Sequence, residues 1–147
     1  MQRWTSEPLD LPVPPAAIAR AHLEFQGTRV SGPSFVVYTF VNADGERLPD
    51  DADREHPRFA GAFSVFAYGD CWGATGHCDA GRGPVSAFDR RPEHHLTPVT
   101  FTLDVTDAVK RLEAPEHVRV TVHAARPVDP DATDVLRFER LALYAYQ

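Results

Sequence analysis

Five side chains that can ligate a soft metal ion or act as thiols fall in one stretch of the chain. Cys71, His77 and Cys78 lie in "GDCWGATGHCD", and His94 and His95 follow in "RRPEHHLTP". Thiolate and imidazole are the ligands that hold Cu(I) and Zn(II), and four of the five would complete a tetrahedral site. The spacing argues for and against this. Six residues separate the two cysteines, wider than the C-x2-4-C of ordinary zinc sites. Adjacent His94 and His95 project in different directions unless the backbone turns between them. A disulfide between Cys71 and Cys78 would close a glycine-rich loop and add roughly 2–3 kcal/mol by constraining the unfolded chain. Metal clip, disulfide and two ordinary thiols all remain open readings. A Cys78–His94 pair could make an activated thiolate, but nothing in the sequence orients the imidazole. Tyr68 and Trp72 flank the first cysteine. An aromatic on such a loop fills a partner's pocket, at roughly 1.5–3 kcal/mol per buried side chain, or packs its own domain.

These residues sit in a long irregular stretch from Gly69 to about Pro98, rich in Gly, Pro and Arg. Loops of that length inside a compact domain are usually functional or disordered. The elements that must carry it read as strands. "AHLEFQG" puts Leu23 and Phe25 on one face and His22, Glu24 and Gln26 on the other. "SFVVYTFV" is apolar on both faces, as expected at the centre of a sheet, and the Asp44-Gly45 turn signal closes it. "RFAGAFSVFAYG" is a second doubly apolar strand, with Gly61 marking a bulge or a close backbone approach. "VTFTLDVTDAVKRLE" begins as a strand facing Phe101, Leu103 and Val105 one way. It then turns into a short helix that Thr106 is expected to cap, with Val109 and Leu112 on its buried face. "VRVTVHAARP" alternates, with Val118, Val120, Val122 and Ala124 inward and Arg119, Thr121 and His123 outward. "LRFERLALYAY" supplies the last strand. Six strands, one short helix and no βαβ rhythm predict an all-β, antiparallel β-sandwich of jelly-roll-like type. His22 and His123, on polar strand faces, are expected to be solvated.

A chain of 147 residues, with 43% apolar and 24% charged residues, suits one folded domain. Residues 1–17 carry Pro8, Pro12, Pro14 and Pro15 and are expected as an extended N-terminal arm, leaving 18–147 as a single sandwich domain. A formal charge of −6 with no run of Lys or Arg argues against a nucleic-acid partner. No stretch approaches the roughly 20 apolar residues of a membrane helix. The first residues lack the apolar core of a secretory signal, so the expected location is cytoplasmic. The acidic cluster Asp50, Asp51, Asp53 and Glu55 lacks the glycine and distal glutamate of a calcium loop and reads as solvated. No Gly-x-Ser-x-Gly elbow, phosphate-binding glycine loop or dinucleotide fingerprint occurs.

The order "FAGAFSVFAYG", a His- and Gly-containing loop, "TPVTFTLDVTDAVKRLEAPEHVRVTVHAARP" and a terminal strand resembles the C-terminal β-sandwich domain of tyrosinases and polyphenol oxidases. "GPSFVVYTFVN" fits that domain's opening, and the run "HHLTPVTFTLDVTD" is similar to the actinobacterial versions. The likeness spans roughly residues 18–146 and is one of order and spacing. In that family a four-helix bundle holds two copper ions between histidines. This chain lacks that bundle's His-x3-His helix pattern. The resemblance implies a non-catalytic accessory domain that covers the entrance of a tyrosinase-like type 3 copper subunit. It also implies copper as first choice and zinc as second for the set Cys71, His77, Cys78, His94 and His95, with copper delivered through the cysteines. Tyr68 and Trp72 would then contact the partner. From another class, the same loop would serve an independent Cys/His metalloprotein or metalloenzyme.

Overall fold

The computed structural model describes residues 2–29, 34–43, 54–66, 88, 98–113, 116–125 and 136–147. In chain order the elements are β1 (Gln2–Thr5), β2 (Leu9–Asp10), a 3-10 turn at Pro15–Ala17, β3 (Arg20–Thr28), β4 (Phe35–Val41) and β5 (Phe59–Val65). There follow β6 (Val99–Asp104), α1 (Thr106–Lys110), β7 (His117–Val118), β8 (Val120–Ala125) and β9 (Arg140–Tyr146). All pairings are antiparallel. One layer has the order β1-β8-β4-β5, the other β6-β3-β9, and β2 and β7 form a separate two-stranded clip. Apolar residues of both layers build one shared core, and the described residues are all-β with one short α-helix, as the sequence predicts.

Alternation decides which side chains meet in that core. On β3, Ala21, Leu23 and Phe25 are fully buried while His22, Glu24 and Gln26 lie on the opposite face. Phe25 reaches across to Phe63 (centroids 5.0 Å) and to Phe138 (5.5 Å), and Phe63 stacks on Phe101 at 4.9 Å. Burying each such ring contributes roughly 1.5–3 kcal/mol. Phe63 and Phe101 thus set β5 over β6 at one margin. At the other margin β1 faces no strand among the described residues. Residues 136–139 lie there instead, with Trp4 edge-on to Phe138.

Gly61 fills both roles its type suggests. The β4–β5 register slips between Thr39 and Phe40, which pair with Gly61 and Phe59 and leave Ala60 bulged. Gly61 has φ +148°, and a Cβ there would stand 2.9 Å from Leu103 Cδ1 of the facing layer. β4 is central, as its two apolar faces imply, and β5 lies at the margin of its sheet.

Two local expectations need correction. The N-cap of α1 is Val105, and Thr106 is the first helical residue. Its hydroxyl accepts the Ala21 N–H (2.9 Å) and lies 2.6 Å from Asp104 Oδ1, so it ties the helix to β3 instead of capping it. Asp104 Oδ1 accepts the Thr106 N–H at 2.9 Å. The paired Val109 and Leu112 are buried, as their spacing implies. On β8, Thr121 (1% exposed) and His123 (4%) are buried although they point away from the shared core. They lie beside Phe40, itself fully buried, whose ring contacts His123 (5.5 Å), His56 (5.7 Å) and Phe59 (5.7 Å). The four-stranded layer is covered on its outer face around Phe40, so Thr121 and His123 are not solvated, whereas Arg3, Thr5 and Ser64 of the same layer are exposed.

Residues 2–17 are largely extended, in keeping with their prolines, and are stitched to the body. β1 pairs with β8, β2 with β7, and the Ser6 hydroxyl accepts the Val120 N–H at 3.0 Å.

Candidate functional site

The stretch that the sequence singles out, with Cys71, His77, Cys78, His94 and His95 and with Tyr68 and Trp72, lies outside the described residues. Its flanks are placed. β5 ends at Val65, opposite Phe35, and β6 begins at Val99, opposite Thr28. Both flanks therefore belong to one end of the sandwich, on facing layers. Phe66, directly after β5, is 81% exposed, and Phe88 is 92% exposed. A large apolar side chain as exposed as Phe66 suits a surface that another body covers. Among the described residues, no group of three or more His, Cys, Asp or Glu side chains stands together as a metal site.

The opposite end holds α1 and an open groove of about 940 Å³. Arg20, Arg54 and Arg111 bring positive charge to its walls, and Asp104 and Asp107 bring negative charge. Arg111 Nη2 donates to the Phe59 carbonyl at 3.1 Å, bridging helix and sheet. Asp104 lies 4.0 Å from Arg20. Its carboxyl is held below the usual carboxylate range, chiefly by the Thr106 hydroxyl and then by the Thr106 N–H. The groove mixes both signs of charge, and its Thr106 hydroxyl, hydrogen-bonded to Asp104 and to the Ala21 backbone, belongs to the frame that ties α1 to β3.

A third feature was missed by reading strand faces alone. His22 is not a solvated strand residue: its ring lies between Tyr144 (5.2 Å) and Tyr146 (5.6 Å), both near-parallel to it, and its side chain is 14% exposed. Nε2 stands 3.4 Å from Glu24 Oε1. The register pairs His22 with Tyr144 and Arg20 with Tyr146, so the stack follows from cross-strand neighbours. The alternation of Tyr144 and Tyr146 on the last strand was the available signal. The ring faces toward His22 are already occupied, so the three rings do not form an open platform.

No protein-family model matches the sequence, and no curated protein sequence matches it. Solved structures do resemble it. Recombinantly expressed latent aurone synthase, a polyphenol oxidase, aligns with a TM-score of 0.55 at 15% identity, and the latent enzyme from natural source with 0.54 at 16%. In both pairs 98% of this chain is covered and 24% of the neighbour's, so the chain spans about a quarter of those enzymes' length. At such identity the likeness speaks to the fold: this sandwich is one that also occurs as part of a polyphenol oxidase.

Proposed function

We propose that this chain acts as a non-catalytic covering domain of a tyrosinase-like type 3 copper enzyme, seated over the entrance to the copper subunit. The observation that carries the reading is the alignment of 98% of the chain with 24% of a polyphenol oxidase whose form is latent. The exposed Phe66, directly after β5 and before the Cys/His stretch, adds a surface suited to cover. On this reading Tyr68 and Trp72 contact the partner, and the oxidation chemistry belongs to the copper subunit. Cys71, His77 and Cys78, with His94 and His95, would hand copper to it: thiolates bind Cu(I) tightly, and imidazoles give a route for exchange.

The test joins this chain to a polyphenol oxidase catalytic bundle in place of the bundle's own sandwich, and measures oxygen uptake with a diphenol. The expected result is suppressed turnover that proteolytic removal of the chain, or Tyr68→Ala with Trp72→Ala, restores. Turnover equal to that of the bare bundle overturns the covering role. Titration of the reduced protein with Cu(I) separates the second claim: unchanged affinity in Cys71→Ser/Cys78→Ser removes copper delivery and leaves covering intact. Stoichiometric copper or zinc retained in the isolated chain, with no effect on the bundle, would mark an independent metalloprotein instead.

A further inference from the structure

The two layers differ in width, and the mismatch leaves a slot. β1 overhangs the three-stranded layer, so its inward side chains and those of β8 meet residues 136–139 instead of a strand. The space between them is about 340 Å³, within the roughly 300–1,000 Å³ typical of small-molecule pockets. Val122, Ala124 and Leu136 form an apolar floor, each 6% exposed or less. Trp4, 36% exposed, and Phe138 are two walls at 86° to each other. The charged Arg137 and Glu139 stand at the rim.

The slot is held open by polar bonds on both sides. Gln2 Oε1 accepts the Leu136 N–H at 2.7 Å, and its Nε2 donates to the Leu136 carbonyl at 3.3 Å, fixing the segment to β1. From the other layer, the Gln26 carbonyl accepts the Glu139 N–H and the Arg137 carbonyl accepts the Arg29 N–H, both at 2.9 Å. Gly27, at φ +67°, makes room for this approach: a Cβ there would stand 2.6 Å from Glu139 Cγ. Walls fixed in this way need little ordering when a ligand arrives.

We infer that this overhang is a preformed binding slot for a small planar aromatic compound of one or two fused rings. Val122 and Ala124 rise little above β8, which leaves space between them and residues 136–139, and the indole beside it favours a flat ring over a bulky aliphatic body. Trp4 and Phe138 already meet edge to face, and the part of the indole left exposed offers offset or T-shaped contact to that ring. Water in a slot with this floor makes few hydrogen bonds and is readily displaced by an apolar ligand.

The test follows backbone and indole N–H resonances of the whole chain by NMR during titration with benzofuran, with cyclohexanol as the non-planar control. The expected result is saturable shifts confined to Trp4 Nε1–H and the amides of Ala124, Leu136 and Phe138, with little response to cyclohexanol. Ala124→Phe, which fills the slot, should weaken binding at least tenfold. Should that variant not fold, Trp4→Leu keeps the wall apolar, removes the ring and should weaken binding by a similar factor. Shifts that stay linear to the solubility limit, or equal affinity in a folded variant, overturn the site. Equal binding of cyclohexanol overturns the assignment to aromatic compounds.

Discussion

The two layers of the sandwich bury their outer faces differently. In the three-stranded layer one face enters the core, while the other presents His22, Glu24, Gln26, Thr102 and Asp104, on which Tyr144 and Tyr146 lie partly exposed. In the four-stranded layer Phe40, Ala43, Thr121 and His123 are buried on the side away from the core. Polar side chains at outward positions of the three-stranded layer are thus half-buried or exposed, whereas in the four-stranded layer Thr121 and His123 are inside the protein and Arg3, Thr5 and Ser64 are at its surface. Strand position fixes direction; only the neighbours fix environment.

The largest test of that contrast is a pair of truncations. Phe40→Ala should cost about 3–5 kcal/mol, as expected for a large side chain removed from a closed site. Tyr144→Ala, on the partly exposed face, should cost about 1 kcal/mol or less. Urea unfolding measures both, and equal losses would erase the distinction. Next in size is Gly61→Ala. With φ at +148° and Leu103 in the path of the new methyl, the loss should be about 1–3 kcal/mol, read as a lower unfolding midpoint. The gentler Leu103→Ala in the Gly61→Ala background should recover part of the methyl's clash and none of the backbone strain, which separates the two causes.

The smallest effect concerns the exposed rim of the three-stranded layer. The folded state holds the Asp104 carboxyl below its ordinary range through Thr106. A depressed acid contributes stability above its unfolded pKa, near the usual 3.8, and loses it as pH falls through the lower folded value. Asp104→Asn should therefore be slightly less stable than the parent at neutral pH, and the melting difference should vanish on acidification below the ordinary carboxylate range. A difference independent of pH would assign the effect to packing.

Much of the fold was legible because it rests on period-two patterns. Leu23 and Phe25, then Phe101 and Val105, declare their faces from spacing alone. Gly61 was legible as a bulge or close approach because few residues tolerate either. His123 was not, because its burial depends on Phe40, a residue on another strand that the local sequence does not reveal. Thr106 was misplaced by one position because its hydroxyl serves Ala21 of β3, and a long-range bond outweighs a local capping preference. The Cys71, His77, Cys78, His94 and His95 set was found by ligand type, which spacing cannot turn into a geometry. The slot beside Trp4 could not be read at all, since it arises from four strands facing three.

The Gln2 clip on Leu136 has a consequence for how the protein is made. Two bonds of the Gln2 side chain close on Leu136, 134 residues further along. β1 likewise waits for β8. During synthesis β1 therefore leaves the ribosome long before β8 and Leu136 exist, and its pairing with them waits until that part of the chain has emerged.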